Sequence, residues 1–352
     1  MPREGAASRT RVVAFGPGRV NLIGEHTDYA GGLSLPFAIE EGVTVTATAI
    51  AGGDVEAHAV DLGEEDSFPL ADPGRDAAGW RAFVRGTAAE LTASGHELRP
   101  ARLEITGTVP EGSGLSSSAA LEVALALALL ALAGEDEPDR VALARLCSRV
   151  ENDWVGANTG LLDQLAALLG EQGHALRIDF RSLRVTHVPL EIGDWRLVTV
   201  DSGEAHTHAG SGYNARRREC EEAARRLGLD SLRDAQEADL ARLPVPLDRR
   251  VRHVLGENAR VDATVDALRE GDLARVGRLL DGSHTSMRDL YDASTAAVER
   301  TVAALKDVGA AGARMVGGGF GGHVLALFGP GDRPPHGARP VSPGPGARIV
   351  ER

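Results

Sequence analysis

Residues 111–118 read Glu111-Gly112-Ser113-Gly114-Leu115-Ser116-Ser117-Ser118, and an apolar helical run over 119–133 follows at once. A glycine-rich turn feeding a helix N-terminus is a ready anion site, because free N–H groups and the positive end of the helix dipole face the same way. Gly112 and Gly114 let the backbone come close to a phosphate, while Ser116, Ser117 and Ser118 offer hydroxyls to phosphate or Mg2+. A serine before a helix also serves as an ordinary N-cap. A cap needs one hydroxyl, and three in a row exceed that need, so phosphate binding is the reading these residues favour.

Outward from this turn the patterns mix. Upstream, residues 11–15 form a short β-rich run that opens into a glycine-punctuated stretch, 43–50 alternates as a strand, 80–94 reads as an amphipathic helix, and 103–108 is a strand ending near Pro110. Downstream, 141–155 and 161–169 are helical, and 195–201 is a strand that begins a second half. Helices are expected near 214–227, 251–269 and 288–305. Short strands at 314–316 and 323–328 flank the cluster Gly317-Gly318-Gly319-Phe320-Gly321-Gly322. Residues 329–347 hold six prolines and read as a loop before a last strand at 348–351. Strands and helices do not alternate cleanly, which favours α+β over a doubly wound sheet.

Composition narrows the chemistry. The chain has 352 residues, 43% hydrophobic and 25% charged, enough for a proper core. Its formal charge of −13 argues against nucleic acid, which needs a basic footprint. Lys306 is the single lysine among 38 basic residues, and Asp307 follows it. That excludes a Walker A loop, which needs Gly-Lys-Ser/Thr, and a protein-kinase strand lysine. Cys147 and Cys220 are too few for a disulfide framework and read as reduced thiols of a cytoplasmic protein. No signal peptide is expected at the start. The longest apolar run, 123–133, is too short to cross a membrane.

Three further constellations carry chemistry. Glu25-His26-Thr27-Asp28 packs carboxylates and an imidazole onto a turn, which suits sugar hydroxyls that both donate and accept. A solvated turn is the plainer reading, and a metal site is weaker still. Asp163, within Thr159-Gly160-Leu161-Leu162-Asp163-Gln164, lies on a helix of apolar neighbours. A buried carboxylate needs a cation, and Arg19 is the candidate. A helix-cap acid is the alternative there. Residues 317–322 lack the strand-to-helix context of a dinucleotide fingerprint. His206 and His208 read as loop histidines.

Together these motifs resemble the galactokinases, a branch of the GHMP small-molecule kinase family. Gly18-Arg19-Val20-Asn21-Leu22-Ile23-Gly24-Glu25-His26-Thr27-Asp28-Tyr29 is similar to the sugar-kinase signature at its full length. Pro110 through Ala120 resembles the family's phosphate loop, and Arg314-Met315-Val316 with 317–322 its third motif. Glu151-Asn152 and Tyr213-Asn214-Ala215-Arg216-Arg217 fall in family order. The resemblance implies an S5-like N-terminal domain over 1–185 and a ferredoxin-like C-terminal domain over 186–352. It implies ATP-dependent phosphorylation of the C1 hydroxyl of galactose, and a monomer is expected.

The resemblance also assigns roles. Asp163 would take or orient the hydroxyl proton, with both readings open. Arg19 would hold that carboxylate and the transferring phosphoryl group. Glu25, His26, Asp28, Gly160 and Tyr213 would contact the sugar. Residues 112–118 would wrap the phosphates, Ser118 (or Ser117) and Glu151 would hold Mg2+, and Trp80 would line the adenine pocket. A kinase for N-acetylgalactosamine or arabinose, and a galactose-sensing relative without turnover, stay as alternatives. Two departures stand out: His323 after the third motif, and the short proline-rich 329–347 where the family has a helix, which is expected to leave one flank of the second domain less covered.

Overall fold

The computed structural model describes residues 10–109, 114–157, 159–204 and 209–352. Its first strand, β1 (Arg11–Asn21), does not stop at Phe15 but runs through Gly16-Pro17-Gly18. Those glycines are contact points rather than turns. A Cβ on Gly16 would lie 2.1 Å from the Ala120 carbonyl oxygen, and one on Gly18 would lie 2.7 Å from that of Leu115. Bare backbone there lets a helix rest directly on the strand.

β2 (Leu33–Ser34) and β3 (Pro36–Ala49) follow, then the hairpin of β4 (Asp54–Ala59) and β5 (Glu64–Pro69). After α1 (Trp80–Ala93) and β6 (Ala101–Gly107) comes α2 (Ser117–Leu132), whose residues from Ala119 onward are all buried. No polar face guides this helix. Its Leu and Val side chains supply roughly 1.5–3 kcal/mol each on burial, against β1 and β3 on one side and other helices on the other. Those are α1, α3 (Arg140–Arg149) and α4 (Leu162–Leu169). Beyond α3 a π-helical turn, Val150–Val155, carries Glu151; such turns often mark functional sites. The hairpin of β7 (His174–Asp179) and β8 (Arg184–Pro189) joins β2 in a small sheet.

The second half holds β9 (Arg196–Asp201), α5 (Ala209–Leu227), α6 (Leu247–Glu270), α7 (Leu273–Asp289) and α8 (Ala296–Asp307). It closes with β10 (Ala310–Met315), β11 (His323–Phe328), β12 (Arg339–Pro340) and β13 (Arg348–Glu351). Where the pattern predicts a helix over 288–305, α8 begins only at Ala296, and α7 precedes it as a helix the pattern does not predict. The chain breaks at the buried Tyr291 and at Asp292, which takes φ +49°, and Thr295 caps α8. Asp272 caps α7 through the Arg275 N–H.

The strands form a six-stranded sheet in the order β13-β1-β3-β6-β4-β5, a four-stranded antiparallel sheet β10-β11-β9-β12, and the small sheet β2-β7-β8. This is an α+β architecture. The four-stranded sheet is not left bare by the short proline-rich segment. Val324, Ala326 and Phe328 of β11 sit in one core with Cys220, Ala223, Val298 and Leu305. Leu325 and Leu327 sit in another with Val261, Val265, Val276 and Leu280. That second core also takes in Val20, Leu22, Leu33 and Phe37, which ties the two halves together. The expected second part, 186–352, sends its last strand into the first sheet: β13 pairs with β1, Val13 opposite Glu351.

Candidate active site

A cleft of about 360 Å³ opens between these cores. Arg19, Glu25, His26, Asp28, Gly114–Ser118, Gly160, Asp163, Tyr213, Gly317 and Gly318 line it. Three motifs widely separated in sequence therefore share one wall. Gly112 and Ser113 lie outside the described residues, as do His206 and His208.

Arg19 enters the cleft because β1 shifts register between Pro17 and Arg19; a bulge re-aims the side chain. Its Nε and Nη2 donate to the two oxygens of Asp163 at 2.7 and 2.8 Å, and Nη1 donates to the Gly114 carbonyl at 2.6 Å. The expected cation for Asp163 is thus present and bidentate, the stronger form of such a pair. Burial works against the Arg19 charge, yet Asp163, Glu25 and Glu151 together raise its pKa above the usual guanidinium value. Ser116 Oγ also donates to Asp163 Oδ2.

The serines do not act as a plain cap. Ser116 is the N-cap of α2 but takes φ +61° and makes no side-chain bond to the helix. Its hydroxyl goes to Asp163, and that of Ser118 goes to Glu151 Oε1 at 3.0 Å. The helix end thus keeps its positive field for another anion. Glu151 is buried and further held by Thr159 Oγ1 at 2.7 Å and Gln164 Nε2 at 2.9 Å. Burial, with Asp163 nearby, raises its pKa. Ser118 and Glu151 therefore present two oxygens side by side. That donor set fits Mg2+, which takes few protein ligands and keeps phosphate and water. Among the described residues no cluster of three or more His, Cys, Asp or Glu could hold a metal.

The turn at Glu25-His26-Thr27-Asp28 divides its labour. Thr27 is fully buried and bonds the Gly24 and Leu33 carbonyls, so it shapes the turn. Glu25 accepts from the Gly317 N–H at 2.8 Å and pairs with Arg314 at 3.2 Å. Burial still pushes the Glu25 carboxyl up, against the pull of Arg314 and Arg19. Burial likewise pushes Asp28 up to about 7, with Asp163 and Glu25 adding repulsion. Gly160 has a steric reason to be glycine: a Cβ there would lie 1.8 Å from Asp28 Oδ2. Both ring nitrogens of His26 are taken within the protein, by Tyr29 and by the Gly318 carbonyl. Tyr213 packs against the His26 ring, centroids 5.0 Å apart.

Trp80 lines a second cleft of about 330 Å³ with Val43, Leu62, Phe83, Ile105, Val109 and Leu121. Its indole N–H donates to Glu64 at 2.7 Å. Ser117 and Ser118 line both clefts, so the two meet at the start of α2.

Comparison with known proteins bears on this arrangement. The GHMP kinases N terminal domain matches residues 82–171, the GHMP kinases C terminal domain 264–341, and the galactokinase galactose-binding signature 4–49. The galactokinase of Mycobacterium tuberculosis (strain ATCC 25618 / H37Rv) is 44% identical over 328 residues, spanning 91% of this chain and 90% of that relative. The chain belongs to the galactokinase family. A galactokinase of Thermotoga neapolitana is 39% identical over 312 residues, 88% of this chain and 87% of its own. The fold matches the crystal structure of Lactococcus lactis galactokinase complexed with galactose, at TM-score 0.89 and 31% identity, covering 97% of this chain and 96% of that one. A mevalonate kinase structure at 17% identity, TM-score 0.65, shares the fold.

The galactokinase signature takes in β1, Arg19 and the whole Glu25–Asp28 turn. Several residues in and around this cleft escape sequence reasoning. Arg314 is fully buried and also donates to the Asn21 and Leu22 carbonyls. A lone arginine in the apolar strand β10 was the available sign. Thr159 and Gln164 orient Glu151, and Gly317 and Gly318 line the same cleft as Glu25, Asp28 and Tyr213.

Proposed function

We propose that this sugar kinase transfers the γ-phosphoryl group of ATP to the C1 hydroxyl of galactose in the 360 Å³ cleft. The observation that carries the reading is the Arg19–Asp163–Ser116 cluster at the start of α2, where the two clefts meet. The galactose oxygen forms a bond to the γ-phosphorus while the bond to the bridging oxygen of ADP breaks. The proton of the C1 hydroxyl goes to Asp163, or Asp163 orients the hydroxyl and the transferred phosphate takes the proton late. Phosphoryl transfer depends mainly on positioning and charge neutralisation. Asp163 places the nucleophile, and Arg19 locks Asp163 while keeping donors over for the phosphoryl oxygens. Glu25, Asp28, Gly160 and Tyr213 frame the sugar. Asp28, near neutrality, can donate or accept toward a hydroxyl. Residues 112–118 with the α2 dipole cradle the phosphates, and Trp80 lines the adenine pocket. Ser118 and Glu151 would hold Mg2+, which supplies neutralising charge to the phosphates when bound.

We place the division between two domains near residue 185, with the closing strand β13 returned to the first. A reducing, cytoplasmic setting is supported by Cys147 and Cys220, both buried and unpaired. A monomeric state is our expectation, to be checked by light scattering. Among the described residues no helix is long and apolar enough to cross a membrane.

Coupled ADP release across galactose, N-acetylgalactosamine, arabinose and glucose tests the reading, with galactose expected to be preferred. Asp163→Ala is expected to abolish turnover while calorimetry still detects galactose binding. Near-parental turnover in that variant would remove Asp163 from the reaction. Tight galactose binding with no ADP release in the parent would favour a sensor.

A further inference from the structure

Behind the sugar wall, four side chains and a carbonyl form a chain of hydrogen bonds. Cys220 Sγ lies 2.9 Å from the Tyr291 hydroxyl, which lies 2.9 Å from that of Tyr29. The Tyr29 hydroxyl lies 2.6 Å from His26 Nδ1, and His26 Nε2 lies 3.0 Å from the Gly318 carbonyl oxygen. These groups come from four distant segments of the chain. Tyr291 is fully buried, and Arg216 fixes its backbone by donating to the Tyr291 carbonyl at 3.0 Å.

One end of the chain sets the direction of every link. A carbonyl only accepts, so His26 Nε2 carries the hydrogen. Burial, with His253 nearby, lowers the His26 pKa to about 3, so the ring is neutral and Nδ1 is a bare acceptor. Tyr29 must donate to it. Having one hydroxyl hydrogen, Tyr29 then accepts from Tyr291, and Tyr291 by the same count accepts from Cys220. Burial keeps that thiol protonated, its pKa pushed up to about 12.

We infer that this one-directional relay makes Tyr291 and Cys220 positioning residues for the sugar site, with His26 as the clamp that fastens the Glu25–Asp28 turn to Gly318. His26 then serves the sugar by holding two walls together, since neither ring nitrogen is left over for a ligand. The far side of the same glycine turn is fastened too, because the Phe320 N–H donates to the Ala293 carbonyl at 2.7 Å, two residues beyond Tyr291. Chains of hydrogen bonds polarise one another, so a change at one end is felt at the other.

The kinetic consequence rests on the galactose-kinase reading; the hydrogen-bond geometry does not. The variants are Tyr291→Phe, which keeps the ring and loses the hydroxyl, and the pair Cys220→Ala and Cys220→Ser. Two readouts are taken: galactose and ATP KM, and the ring nitrogen resonances of 15N-histidine-labelled protein, with His26 assigned by its loss in His26→Gln. Tyr291→Phe is expected to raise galactose KM about threefold to tenfold, the effect of one neutral hydrogen bond, with ATP KM unchanged. It should also move the His26 Nδ1 resonance, although the lost hydroxyl does not touch that ring. Cys220→Ala should act in the same direction and Cys220→Ser should restore the parent. An unmoved His26 resonance in Tyr291→Phe overturns the relay whatever the kinetics. A moved resonance with unchanged galactose KM overturns the positioning role. Should the parent phosphorylate no sugar, the functional reading fails while the resonance still reports on the relay. If Tyr291→Phe does not fold, the cysteine pair decides by the same two readouts.

Discussion

Asp28 is kept in place against its own charge. The fold holds its proton up to about 7, because burial and the neighbouring Asp163 and Glu25 disfavour the anion, whereas the ordinary value is 3.8. Between those values the unfolded chain binds fewer protons than the folded one, so stability from this group falls as pH rises. Asp28→Asn is therefore expected to melt at a higher temperature than the parent at about pH 8, with the gain fading below about pH 4, while galactose affinity drops. A gain independent of pH in thermal melts would refute the charge argument. Such a residue was readable as chemistry because carboxylates on a turn had no structural duty. Arg19 and Asp163 were readable for a related reason, since an acid among apolar neighbours demands a cation. Arg314 was harder to place: a charge inside β10 says that a partner exists but not that it is Glu25, which sits almost the whole chain away.

At the scale of elements, α2 was the easiest to read and its seat the hardest. Alanine and leucine announce a buried helix, but Gly16 looks like the start of a loop. The reason it ends a strand signal on paper and continues it in space is contact: the Ala120 carbonyl occupies the place of its missing side chain. Gly16→Ala is expected to cost about 3 kcal/mol or more, because overpacking against backbone cannot be relieved by a rotamer change. Gly53→Ala is the control, with nothing within 4 Å of the added carbon. Urea midpoints measure both, and equal midpoints would show that α2 does not rest on β1 as described. The hairpins β4–β5 and β7–β8 were missed because their strands are short and polar, as in Glu64-Glu65-Asp66, where consecutive charges hide any alternation. The early start expected for α8 had another cause, as the break before it is set by burial of Tyr291, a tertiary fact.

For the whole molecule, the common core that joins β1, β2 and β3 to α6, α7 and β11 explains how three motifs so far apart in sequence meet on one cleft. Lys306, the single lysine, pairs with Asp281 at 2.7 Å and does not line the cleft, so under the proposed function phosphate binding would fall to backbone, helix end and arginine. The return of β13 is the feature that local patterns could not show, because pairing partners are not written in either strand. Deleting 348–352 is expected to lower the melting temperature and raise light scattering on warming, since an unpaired edge of β1 is a template for association. Unchanged melting and scattering would show that the edge is protected by other means. There is also a consequence in time. β1 (Arg11–Asn21) leaves the ribosome long before its partner β13 (Arg348–Glu351), so at ordinary elongation rates the first sheet waits on the order of tens of seconds for its border. A stalled or prematurely terminated chain would carry that open border permanently, however well the rest of its first half had folded.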